Sequence, residues 1–163
     1  MSQIAETEFV RAALPAALES ARQQAEAQQL PYAGSVSPET AWELAQNGAA
    51  VLVDVRSVEE YKFVGHVPGC VHVPWATGAS LLRNPRFTRE LEQKLAPAGG
   101  KNAAVLLLCR SGKRSALAAE AAHAAGFSSV FNVLEGFEGE IDAAQHRGQH
   151  DGWRFRGLPW VQD

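Results

Sequence analysis

The sequence predicts an open α/β fold: a parallel sheet covered by helices on both faces, with a helical extension in front of it. The first observation behind this is that the strand candidates are short and apolar throughout instead of alternating, which suits strands buried on both faces. The second is that helical segments separate them. The third is size. A chain of 163 residues, 46% hydrophobic and 20% charged, fits one domain plus a short appendage and can supply a proper core. Two full catalytic domains and a mainly disordered chain are both excluded.

The elements follow in order. From Ile4 to Leu30 the chain is rich in Ala, Gln and Glu, with Val10, Leu14, Leu18, Ala21 and Ala25 spaced as the apolar stripe of a helix that Pro15 should kink or split. Leu30-Pro31-Tyr32-Ala33-Gly34 reads as a linker. Ser37 as N-cap and Pro38 at the first helical position open a helix that ends at Asn47-Gly48. Ala49 to Val55 is a buried strand, and Ser57-Val58-Glu59-Glu60 fits a capping box opening a brief helix. Val71-His72-Val73 is a minimal strand stopped by Pro74. Asn84-Pro85 opens a helix with Phe87, Leu91 and Leu95 on one face. Ala103 to Leu108 is the strongest strand, Ser115 to Ala125 an alanine-rich helix closed by Gly126, and Val130 to Val133 a last strand. The expected division is an N-terminal helical extension and linker over 1–34, the domain over 35–142 and a C-terminal strap over 143–163.

A formal charge of -3 argues against a general nucleic-acid binder, so any basic site is local. Two cysteines cannot make the disulfide framework of a small secreted scaffold, which favours a reducing compartment. Met1 to Glu8 has no basic segment followed by an apolar run, and nothing approaches the roughly 20 apolar residues of a membrane span. A soluble, cytoplasmic protein is expected.

In a sheet of this kind ligands sit beyond the carboxyl ends of the strands, where strand order reverses. The sequence Leu108-Cys109-Arg110-Ser111-Gly112-Lys113-Arg114-Ser115 puts a thiol at such an end, just before a helix. Backbone N–H groups of a turn entering a helix point at an anion, and the first turn adds partial positive charge. Arg110, Lys113 and Arg114 add three cations, with no acidic residue between Glu92 and Glu120. A thiol in that field loses its proton readily, provided it is open to water, and the same cradle binds an incoming anion. The bland alternative is a buried core cysteine beside a solvated basic loop.

Four motifs stand in order: Leu52-Val53-Asp54-Val55-Arg56, Gly65-His66-Val67-Pro68-Gly69-Cys70, the loop from Cys109 to Ser115, and Leu134-Glu135-Gly136. With them the chain resembles the rhodanese-like family from about Ser35 to Gly139, some two thirds of its length. The resemblance implies a five-stranded parallel sheet and a persulfide on Cys109. The thiolate would attack the outer sulfur of thiosulfate or another persulfide donor, sulfite would leave from thiosulfate, and cyanide or a thiol would take the sulfur. Backbone N–H groups from Arg110 through Ser111, Gly112, Lys113 and Arg114 to Ser115 would hold the persulfide. The side chains of Arg110, Lys113 and Arg114 would draw in the donor. The reading calls for no metal, no organic cofactor, no nucleic acid and no membrane, and for a monomer.

Two alternatives stay open. A small phosphatase or arsenate reductase uses a related cradle, but Arg114 lies five residues after Cys109, one fewer than in phosphatase-type loops. A non-catalytic interaction module commonly lacks the cysteine that this chain has. Asp54 and Arg56 end the neighbouring strand; they could fix the cysteine loop and nearby carbonyls, or form an ordinary cap and ion pair. Cys70 is read as a small core residue, with a resolving thiol as the alternative. His66 and His72 are read as packed imidazoles, His146 and His150 as surface residues, and Trp75 as a rim or interior aromatic. Many relatives carry Gly-Gly and then a Trp after the last strand, whereas this chain has Gly136-Phe137 and Gly139. The tail from Gly152 to Trp160 is expected to strap onto the sheet.

Overall fold

The computed structural model describes the backbone of residues 3–163 and the side chains of residues 15–163. In chain order its elements are α1 (Gln3–Gln28), β1 (Gly34–Val36), α2 (Pro38–Gln46), β2 (Val51–Asp54), a π-helical turn (Glu60–Val64), β3 (Val71–His72), β4 (Ala76–Thr77), β5 (Leu82–Arg83), α3 (Phe87–Leu95), β6 (Val105–Leu108), α4 (Lys113–Ala124) and β7 (Val130–Val133). Five of the strands form one sheet in the order β1-β7-β6-β2-β3, every neighbouring pair parallel. The α/β expectation is met.

Burial on both faces explains the continuous apolar runs. Val53, Val55, Val105, Leu107 and Cys109 face α3 and α4, where Phe87, Leu91, Leu95, Ala118, Ala119 and Ala122 close the layer. Leu52, Leu106, Leu108, Phe131 and Val133 point the other way, onto Ala21 of α1, Ala41 and Leu44 of α2, and onto Phe137 and Trp153 from the chain after β7. Alternation along each strand thus feeds two cores, and both must be apolar.

Local signals behave as the sequence requires. The Ser37 side chain accepts from Thr40 N with Pro38 just inside the helix. Ser57 Oγ accepts from Glu60 N while Glu60 Oε1 accepts from Ser57 N, both at 3.3 Å, which is a closed capping box. Departures come where pairing is long-range. β1 is not legible as a strand: it is three residues long, and it exists because Gly34 to Val36 pair with Phe131 to Val133 of β7. Gly34 is demanded by α1, since a Cβ there would lie 2.7 Å from Ala21 O. The antiparallel pair β4–β5 is likewise unforeseen.

α1 is one helix with Pro15 inside it, not two. A proline removes one ladder hydrogen bond, and the rest of a long helix holds the element together. Ala21 and Ala25 are buried and Leu18 packs beside them, as the stripe predicts. The side chains of Val10 and Leu14, and residues Met1 and Ser2 altogether, lie outside the described residues.

After β7 the chain returns across the sheet. Trp153 is fully buried, with Nε1 donating to Pro159 O at 2.9 Å, and His66 and Val161 exchange backbone hydrogen bonds of 2.8 Å. The tail therefore packs onto the domain. Among the described residues no helix is long and apolar enough to cross a membrane.

Candidate active site

Strand order reverses between β2 and β6: β3 lies beyond β2, while β7 and β1 lie beyond β6. Cys109 follows β6 directly, Asp54 ends β2, and α4 begins at Lys113. The loop is thus at the crevice where open α/β sheets bind ligands. Gly112, the N-cap of α4, takes φ +97°, a left-handed conformation that costs glycine little. That turn aims its N–H at Cys109 Sγ, 3.1 Å away. Ser115 Oγ lies 3.2 Å from the same sulfur. As the first residues of α4, Lys113, Arg114 and Ser115 have N–H groups with no intrahelical acceptor, so the loop is an anion cradle built from backbone.

The segment after β7 holds this cradle. Phe137 N donates to Cys109 O at 2.8 Å, and Glu138 N and Gly139 N both donate to Arg110 O, at 3.0 and 3.1 Å. Gly136 makes the approach possible: at φ +70° a Cβ would sit 2.4 Å from Arg110 C and O. Phe137 is fully buried, beneath the Arg56 guanidinium at 4.3 Å and edge-on to Trp160.

Two expectations are corrected here. The sequence reading needs an open thiol, but Cys109 is 1% exposed and packs in the same core cluster as Val55, Val73 and Trp75. The sequence reading also counts three free cations. The fold brings Glu60 to Arg114, whose two terminal nitrogens donate to the two carboxylate oxygens at 2.7 and 2.8 Å. Burial alone would raise the Glu60 pKa, but the Arg114 hydrogen bonds and charge, helped by Ser57, bring it down to about 2. The same hydrogen bonds push Arg114 further up. Lys113 is 80% exposed with Glu140 at 3.9 Å, and Arg110 is half-buried with Nε unpartnered among the described residues. Ser111 is half-buried, its backbone N against Gly136. Arg110 and Lys113 are the loop cations not committed to a close carboxylate pair. Glu60 is a site residue that sequence reading took only as a helix cap.

Asp54 and Arg56 form a fully buried bidentate pair, with Arg56 Nη2 2.7 Å from Asp54 Oδ2 and from Gly65 O. All Asp54 side-chain hydrogen bonds go to Arg56 and none to the cysteine loop. Arg56 does bind a neighbouring carbonyl, that of Gly65. Cys70 belongs to the opposite face of the sheet from Cys109, and burial, with the charge of Asp54, pushes its thiol up to about 12. It is half-buried and packs against the core on that face, away from Cys109. His66 and His72 stack on the two faces of Tyr61, at 4.0 and 4.5 Å between ring centres. Trp75 is interior, edge-on to Phe87. Among the described residues no group of three or more His, Cys, Asp or Glu could hold a metal ion.

One buried polar residue was not foreseen at all. Asn132 of β7 donates from Nδ2 to Gly112 O at 3.1 Å and accepts at Oδ1 from Ser115 Oγ at 2.5 Å. In sequence it sits within an apolar strand, and only its odd polarity in Val130 to Val133 marks it.

The rhodanese-like domain family matches residues 37–141. The Rickettsia prowazekii protein RP600, described as uncharacterized, is 34% identical over 121 residues, covering 72% of this chain and 87% of its own length. The crystal structure of Rv0390 from M. tuberculosis superposes with a TM-score of 0.69 at 45% identity, over 81% of this chain and 99% of that one. The human single-domain sulfurtransferase TSTD1 superposes with a TM-score of 0.50 at 25% identity, over 63% and 90%.

Gly136→Ala should cost at least about 2 kcal/mol of stability in urea unfolding, because strained φ and a backbone clash combine. An unchanged midpoint would show that the cradle does not rest on that contact. Glu60 has a depressed pKa, so its stabilising contribution is present above the ordinary value of 4.5 and is lost as pH falls towards about 2. Glu60→Gln should therefore be less stable than wild type at neutral pH, with the gap closing across that acid window; a pH-independent gap would contradict the pairing.

Proposed function

The chain belongs to the rhodanese-like family, and we propose that it is a sulfurtransferase whose Cys109 carries sulfane sulfur as a persulfide. The observation that carries the proposal is the backbone cradle at the thiol: Gly112 N–H faces Sγ at 3.1 Å, at the entrance to α4, whose first residues leave N–H groups without intrahelical acceptors. That cradle favours negative charge on sulfur before and after transfer. The likeness to a protein named as a human single-domain sulfurtransferase supports the same chemistry.

In the first half-reaction the Cys109 thiolate attacks the outer sulfur of thiosulfate or of another persulfide. A sulfur–sulfur bond forms to Cys109, the donor's own bond breaks, and sulfite or a thiolate leaves with the electron pair. In the second, cyanide or an acceptor thiolate attacks the outer sulfur of the persulfide and Cys109 leaves as thiolate. Covalent ping-pong chemistry of this kind requires no metal or organic cofactor. Arg110 and Lys113 are the side chains we assign to the anionic donor, with Arg114 kept for Glu60. Ser111, Gly112 and Ser115 complete the cradle, and Asp54 with Arg56 supports the β2 end. Residues 35–142 are taken as the working unit, a soluble cytoplasmic monomer, with the segments before and after packed onto it.

Cys109→Ser should abolish thiosulfate:cyanide sulfurtransferase activity while leaving thermal unfolding unchanged; undiminished turnover refutes the proposal. Arg110→Ala with Lys113→Ala should raise KM for thiosulfate about tenfold with kcat little changed, the expected loss from charge-assisted donor contacts. An unchanged KM removes both from donor binding.

A further inference from the structure

Both groups at hydrogen-bond distance from Cys109 Sγ among the described residues are held by one side chain from the neighbouring strand. Gly112, whose N–H faces the sulfur at 3.1 Å, has its carbonyl bound by Asn132 Nδ2 at 3.1 Å. Ser115, whose Oγ lies 3.2 Å from the sulfur, also lies 2.5 Å from Asn132 Oδ1. The amide can sit only one way round: Gly112 O is purely an acceptor, so Nδ2 must face it and Oδ1 must face Ser115. Ser115 and Asn132 are both buried, so water does not supply spare partners.

Proton counting then sets a choice. The Ser115 hydroxyl has one hydrogen and two acceptors, Asn132 Oδ1 and the sulfur. While Cys109 is a thiol, its S–H can donate to Ser115 Oγ, whose own proton goes to Asn132. Once the thiolate forms, the two acceptors compete, and the shorter contact is to Asn132. Each hydrogen bond that a thiolate accepts lowers the energy of its lone pair and weakens it as a nucleophile. A residue that withholds the Ser115 proton keeps the sulfur reactive inside an otherwise strongly stabilising cradle.

We infer that Asn132 is a positioning residue for Cys109: it fixes Gly112 N–H on the sulfur and draws the Ser115 proton away from it. This sharpens the sulfurtransferase reading but rests on the nucleophilicity of the thiolate, which can be read without any sulfur donor. When persulfide forms, charge passes to the outer sulfur, the inner one becomes a poor acceptor, and Ser115 returns fully to Asn132. The reactive state is thus the one in which Asn132 matters most.

The test uses Asn132→Ala, Ser115→Ala and the double variant, each checked by thermal unfolding, with two readouts. One is the rate of Cys109 alkylation by iodoacetamide, followed as a function of pH and compared on its high-pH plateau. The other is kcat and KM for thiosulfate. Asn132→Ala should slow alkylation about tenfold, the scale of one hydrogen bond to a charged group, and lower kcat in step with KM little changed. Adding Ser115→Ala should recover the rate, because the proton that moved onto the sulfur is then gone. A loss from mere loosening of the loop would deepen in the double variant.

Unchanged alkylation in Asn132→Ala, or a double variant no faster than Asn132→Ala, overturns the inference. If Asn132→Ala does not fold, Asn132→Gln decides: its amide lies one methylene out of place, so alkylation slowed several-fold supports the inference and an unchanged rate overturns it. Alkylation that responds as stated in a protein taking up no sulfur from thiosulfate or a thiol persulfide would uphold the role of Asn132 while sinking the sulfurtransferase reading.

Discussion

The site depends on three backbone hydrogen bonds by which the segment after β7 grips the cysteine loop: Phe137 N to Cys109 O, and Glu138 N and Gly139 N to Arg110 O. A loop of consecutive N–H groups facing an anion must turn its carbonyls elsewhere, and buried carbonyls need partners. The chain after β7 supplies them, and Gly136 lets it come close enough to do so. Because β7 lies beside β6 in the sheet, the brace and the cradle are set by the same parallel pairing. Asn132, inside β7, adds the side-chain part of that support.

Electrostatics at the site is more economical than three cations on one loop would suggest. Arg114 spends its fork on Glu60, which also completes the capping box with Ser57, so one carboxylate ties α4 to the π-helical turn. Arg56 and Asp54 neutralise each other in a fully buried pair. A buried pair of this kind is weak evidence for net stability, but removing either partner leaves an uncompensated charge in the core. What remains without a close carboxylate partner on the loop is Arg110, together with the exposed charge of Lys113.

Much of this was legible because it is local. The thiol-to-helix loop, Ser37 with Pro38, the Ser57 box, and Phe87, Leu91 and Leu95 on one face all express periodicities or turn chemistry within a few residues. Five strands in one parallel sheet were implied by the resemblance, but their order was not, and spacing alone does not place β1 at the edge. What escaped joins distant positions: β1 with β7, Glu60 with Arg114, and Asn132 with Ser115 and Gly112. A polar residue in a buried strand was the one visible trace of the last. The burial of Cys109 escaped for a different reason: its sequence context reports charge, whereas its exposure depends on the core cluster it joins on the α3 and α4 side of the sheet.

The central claim is that Cys109, though covered in the resting fold, accepts sulfur from a small donor. Intact-mass measurement of the folded protein after thiosulfate or thiol persulfide treatment tests this most directly, with an aryl phosphate assay alongside. The account predicts the gain of one sulfur atom, located on Cys109 and removed by cyanide or an excess of thiol. No gain from any donor, or phosphate release without sulfur uptake, would contradict it.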